Sequence, residues 1–179
     1  RRAHPGEPAA PAARAPALPA TPSGARARLG YKPNVVQLST GELVLANFHT
    51  HYEVYGDGSI CEHVVLHRSQ DHGATWWSKH HDHLWGREPY LNAFAGDVLL
   101  ITTHFLEVDV RNGTGHLTVY LHRSPDGGHS WTSEHIGVER IPEEVPYTYT
   151  TRNIAALPDG SYLMGVGCSF GRDYRFRSV

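Results

Sequence analysis

The chain has 179 residues, of which 40% are hydrophobic and 10% aromatic, enough to bury a real core. A formal charge of −2 and a pI near 6.7 exclude the overall electrostatics of a nucleic-acid or polyanion binder, although 14 histidines add positive charge in acid. No apolar run approaches the ~20 residues that a membrane helix needs, and two cysteines, Cys61 and Cys168, form neither a CxxC metal pattern nor a disulfide scaffold.

Residues 1–30 hold six prolines and ten alanines, with Leu18 and Leu29 as the only large apolar side chains. Burial there cannot offset the entropy of ordering, so the segment reads as an extended linker outside the fold. Spacers of this kind often follow an export signal, which favours a secreted or extracellular setting over a disordered cytoplasmic terminus.

From Tyr31 onward, short runs rich in Val, Leu, Tyr, Phe and Thr alternate with turn residues: "NVVQL", "ELVLANFHTH" and "HVVLHR", then "PYLNAF", "DVLLITTHF" and "LTVYLHR". None keeps a 3.6-residue period, so residues 31–179 read as an all-β domain. "LHRSQDHGATW" from Leu66 matches "LHRSPDGGHSW" from Leu121 at seven of eleven positions, 55 residues apart. Gly41 and Gly96 keep that spacing, and Gly160 in "LPDGSYL" starts the pattern again. Each unit reads as four antiparallel strands, the signature of a β-propeller blade. The expected units are 31–85, 86–146 and the start of a third at 147–179, where "SYLMGVGCSFGRDYRFRSV" shows no recognisable third or fourth strand. Propellers close with about four to eight blades, so about 2.7 units read as part of a ring.

The repeated phrase has a local physical logic. Asp71 with Ser69, and Asp126 with Ser124, offer oxygens to turn N–H groups, while Gly73 and Gly128 supply backbone freedom. Trp76 and Trp131 then open the last strand with a large ring to bury. A catalytic carboxylate is needed once, whereas this one recurs in each unit, so both aspartates read as turn residues.

"SQDHGATW" and "SPDGGHSW" resemble the Asp box, or bacterial neuraminidase repeat, of the sialidase-like propellers; Thr75 fits the pattern and Ser130 replaces its threonine. The resemblance covers residues 31–179 and implies a six-bladed propeller acting on terminal sugars of glycoconjugates, sialic acid or a relative. It also implies three arginines on a substrate carboxylate, an aspartate acid/base and a tyrosine–glutamate nucleophile. Guanidinium forks suit a carboxylate, and the paired tyrosine avoids pushing a bare carboxylate at an anionic sugar. The family's first arginine sits in an Arg-x-Pro phrase; here that phrase is "YKP", so Tyr31 replaces it and Lys32 is the nearest cation. "REP" supplies Arg87 with Glu88 in the second unit, and "TTRNIAAL" supplies Arg152 in the third. In the loop "HTHYEVYGDGSICEH", Asp57 matches the acid/base by residue type, with Glu53 and Glu62 nearby; its flanking glycines equally suit a turn.

No nucleophile is assigned, since Tyr147 and Tyr149 match no family position, and the chain taken alone is expected to be inactive. His49 with His51, and the run His80–His83, have metal-like spacing without a converging third ligand, so neither a metal nor another cofactor is expected. No nucleic-acid partner is expected either. The alternative to an enzyme is a non-catalytic propeller that binds a glycan or a protein, or a purely structural repeat.

Overall fold

A computed structural model describes residues 31–51, 60–106, 108–113, 117–136, 147–170 and 173–178. For residues 31, 51, 82, 147–152, 168–170 and 173–178 it describes the backbone alone. The linker 1–30 and the candidate acid/base Asp57 lie outside the described residues.

Three antiparallel sheets follow one another along the chain. The first is β1 (Tyr31–Gln37), β2 (Leu43–His51), β3 (Cys61–Ser69) and β4 (Trp77–Trp85), in that spatial order. The second is β5 (Arg87–Phe94), β6 (Val98–Phe105), β7 (Thr118–Ser124) and β8 (Thr132–His135), ordered the same way. The third orders β9 (Tyr147–Ala156), β10 (Tyr162–Phe170) and β11 (Asp173–Ser178). A third strand is therefore present in "GRDYRFRSV": β11 pairs with β10 through Phe170↔Asp173, closing over only Gly171 and Arg172. This short connection, lacking the long loop of the earlier units, hides it from a search by spacing.

First strands β1, β5 and β9 pack side by side, as blades do around an axis. Side chains from facing sheets fill the space between blades. Leu38, Val44, Ala46, Val64, Leu66 and Leu84 of the first sheet meet Leu91, Leu99 and Ile101 of the second. Leu100 of the second meets Ile154, Met164 and Val166 of the third.

Register decides which residues face which neighbour, because a one-residue slip turns a strand over. Aligning Gly41 with Gly96 gives a spacing of 55 throughout. The ladders differ from that: Leu43 pairs with Ser69 and Leu99 with Ser124, so β2 and β6 correspond at 56 while β3 and β7 correspond at 55. Relative to the following strand, the glycine stands one position earlier in the second connection, residues 95–97, than in the first, residues 38–42. Gly41 takes φ 86 in the first, while Gly96 and Asp97 take 74 and 57 in a short 3₁₀ turn in the second.

Candidate functional site

All three inner strands bulge near the same end. The register jumps between Tyr31 and Asn34 in β1 and between Arg87 and Tyr90 in β5. In β9 it jumps between Thr150 and Ile154, opposite Met164/Val166. Lys32, Glu88 and Arg152 each fall inside one of these bulges, which re-aim side chains at strand ends. Lys32 and Glu88 both hold φ 50, left-handed backbone for residues that precede a proline, where it is disfavoured. Strain at matched positions of two blades is a feature of functional ends of folds.

The first two blades join here. Lys32 Nζ lies 2.6 Å from Glu88 Oε1, and Arg87 Nη2 stands 4.0 Å from the same oxygen. Burial alone would raise the Glu88 carboxyl, but the Lys32 hydrogen bond, with His104, the Lys32 charge and Arg87, holds it below the usual carboxylate range. On its other side, Arg87 Nε stands 3.8 Å from Oε2 of Glu62, and the guanidinium lies 5.7 Å from the Phe48 ring. Arg87 thus stands between two carboxylates and over an aromatic face, partly open to solvent, with Nε buried and unbonded.

Glu62 is the residue that sequence reasoning placed only as a neighbour of Asp57. Its side chain is 1% exposed; Oε1 accepts from Thr50 Oγ1 at 2.9 Å, while Oε2 is buried without a hydrogen bond. Burial pushes its carboxyl up despite Arg87 and the Thr50 bond, so Glu62 can carry a proton at a higher pH than an ordinary glutamate.

Its backbone is held by a segment that the sequence did not single out. The connection after β6 returns to the first blade, where Ile60 bridges Asp109, and Asp109 Oδ2 accepts from Glu62 N at 3.1 Å. Arg111 pairs with Asp109 at 2.9 Å, donates to the Glu62 carbonyl, and lies over the rings of Trp85 and Phe105 at 5.3 and 5.2 Å. An Asp-x-Arg triplet in a loop is the only signal for this clamp, and it is a weak one. Cys61 is a free thiol with Sγ 3.2 Å from His63 Nε2, and burial raises its pKa.

The repeated Asp-containing turns lie at the opposite end. Asp71 accepts from Thr75 N (2.8 Å), Thr75 Oγ1 (2.5 Å) and Ser69 Oγ (2.8 Å), which hold its carboxyl at about 2. Asp126 accepts from Ser130 N (2.9 Å), Ser130 Oγ (2.6 Å), Ser124 Oγ (2.7 Å) and His129 N (3.0 Å). Partial burial opposes these bonds without overcoming them, and its carboxyl lies far below the usual range. Gly73 and Gly128, at φ 86 and 89, donate N–H to the serine hydroxyls and accept from Trp76 and Trp131 Nε1 at 3.0 and 3.1 Å. Ser130 makes the same two bonds as Thr75, so the lost methyl changes nothing in the turn.

Arg152 lies in its bulge, but its side chain is outside the described residues, as is that of His51. Among the described residues no group of three or more His, Cys, Asp or Glu converges as a metal site, and no helix is long and apolar enough to cross a membrane.

No protein-family model and no curated protein matches this chain. Its fold is similar to that of a Penicillium chrysogenum alpha-L-arabinanase solved with arabinobiose, at a TM-score of 0.50 and 22% identity. The alignment covers 83% of this chain and 44% of that one. At that identity the likeness establishes the propeller fold, of which the chain spans less than half the arabinanase's length.

Proposed function

We propose that the chain is part of a sialidase-like glycoside hydrolase, exported from the cell, that removes terminal sugars from glycoconjugates. The observation that carries this reading is the meeting of Lys32, Arg87, Glu88 and Glu62 at the bulged end of the inner strands, where two matched positions carry left-handed backbone. A propeller enzyme captured with a disaccharide supports a sugar-acting role for this fold. Lys32, Arg87 and Arg152 supply cations for a substrate carboxylate, and Glu88 an acceptor for sugar hydroxyls. Asp57 is assigned as acid/base in the logic of glycosidases that pass a proton to the leaving oxygen. Glu62, too buried to reach a substrate, fixes the guanidinium of Arg87. The Asp71 and Asp126 turns are structural, since each carboxylate already accepts three or four hydrogen bonds.

The test is release of a fluorophore from an α-sialoside, beside an α-L-arabinofuranoside, by the full-length protein. Sialoside release is expected; Arg87→Ala and Asp57→Ala should each lower kcat/KM by about 100-fold or more. Asp71→Asn of comparable stability should retain it. Release from the arabinoside alone would overturn the sialidase assignment, and loss in Asp71→Asn alone would overturn the site. The second reading, a non-catalytic propeller that binds glycan, is favoured by Tyr31 at the place of the first arginine. Sugar binding without release of either fluorophore would establish it.

A further inference from the structure

The charged groups at the joint of the first two blades are not equally satisfied. Lys32 Nζ meets Glu88 Oε1 at 2.6 Å, a close ion pair. Arg87 differs: Nη2 stands 4.0 Å from that same oxygen and Nε 3.8 Å from Glu62 Oε2, both beyond hydrogen-bond length. Its Nε is buried without a hydrogen bond, while the side chain as a whole is 25% exposed. A guanidinium presents its donors in a fork that fits one carboxylate with two parallel bonds. Neither glutamate supplies that fit.

The backbone accounts for the arrangement. Lys32 and Glu88 are matched positions of adjacent blades, 56 residues apart by the register of the inner strands, each inside a bulge, each at φ 50 and each before a proline. Their charges are opposite, so they close on each other across the joint. His104, the register partner of Arg87, adds to the positive surroundings that keep the Glu88 carboxyl ionised. The pair stays reachable from outside, with Lys32 30% and Glu88 19% exposed.

We propose that Glu88 is a resident competitor of a substrate carboxylate: it holds Lys32 until a sugar acid displaces it and takes Lys32 and the open fork of Arg87 together. The inference rests on the reading of Lys32 and Arg87 as carboxylate-binding cations. Glu88 then sets the preference between acidic and neutral sugars at this joint. An acidic sugar has to displace the Lys32–Glu88 contact, and it gains the Arg87 bonds that Glu88 does not make. A neutral sugar carries no charge with which to displace the carboxylate. Once displaced, Glu88 is free to accept from a sugar hydroxyl.

The test is equilibrium binding to the full-length protein at neutral pH, read by titration calorimetry. The probes are N-acetylneuraminic acid and galacturonic acid, each beside its methyl ester. Glu88→Gln keeps the size of the side chain and removes its charge. It is expected to tighten both acids by about fivefold or more and to change both esters by less than about twofold. Glu88→Ser, shorter and uncharged, should give the same gain. In a Lys32→Met background, Glu88→Gln should tighten the acids by no more than about twofold, because the cation they compete for is gone. Absent, unchanged or weaker acid binding in Glu88→Gln and Glu88→Ser overturns the proposal. A gain that persists undiminished in Lys32→Met also overturns it, since that is repulsion at a distance and not competition for Lys32. Sialoside release by the wild type with no gain in Glu88→Gln sinks this inference alone. A gain for galacturonic acid in a protein that releases no sialoside sinks the enzymatic reading and leaves the inference standing.

Discussion

Blade one and blade two carry an eleven-residue phrase matching at seven positions, a His–Ser pair (His67 with Ser78, His122 with Ser133) and a serine-to-aspartate turn, yet the second set is the more deeply buried. Trp131 packs in a core; Trp76, with the same Nε1 bond to its own glycine, faces outward. The turn is therefore self-sufficient in hydrogen bonds, and burial is a property of the neighbour. A motif with internally satisfied polar groups can be repeated around a ring without each copy waiting on the next. The parts that do wait are the arginine before each turn, the histidine one residue earlier and the upstream apolar face.

The largest test of that contrast is at the paired arginines. Arg68 is 2% exposed, with Nε and Nη2 on Glu42 at 3.0 and 2.6 Å and Nη1 on the Gly127 carbonyl at 2.7 Å, whereas Arg123 is exposed. Arg68→Ala leaves Glu42 uncompensated and should destabilise the chain by about 3–5 kcal/mol in urea unfolding. Arg123→Ala should change stability by no more than about 0.5 kcal/mol. Equal losses would mean that the two blades are not in the different surroundings described here. Next in size, Leu91→Ala should cost about 2–4 kcal/mol and Val35→Ala about 0.5 or less, again by urea midpoint at constant m.

The smallest effect is a pH dependence. Burial lowers the folded pKa of His122 to about 4, below the ~6.5 of an unfolded chain, with the Trp85 carbonyl partly opposing it. Stability from keeping this ring neutral is therefore complete above about pH 6.5 and lost as pH falls through about 4. His122→Gln should flatten the stability–pH curve in that window. His67→Gln should flatten it less, because burial and His80 lower His67 by a smaller amount. A steeper change for His67 than for His122 would reverse the comparison.

Much of the fold was legible in the residues because its signals are local. Alternating apolar runs, turn glycines and a phrase that repeats with its serine, aspartate and tryptophan are each readable within a dozen residues. Lys32, Arg87 and Glu88 were singled out by their position before the prolines of the first two blades, and the structure adds the bulges that bring Lys32 onto Glu88. Glu62, Asp109 and Arg111 were not, because their interaction joins positions 47 to 49 residues apart through a connection that folds back one blade.

The sequence by itself determined the strands of the first two units, their repeat and the turn chemistry, since those depend on side chains that lie close along the chain. Tertiary structure alone decided the register of the inner strands, the state of Glu62 and which copy of each repeated group is covered. A one-residue shift of a glycine leaves the local pattern intact but changes which face meets a neighbour. Desolvation likewise depends on what another blade places over a group, and no span of neighbouring residues encodes that.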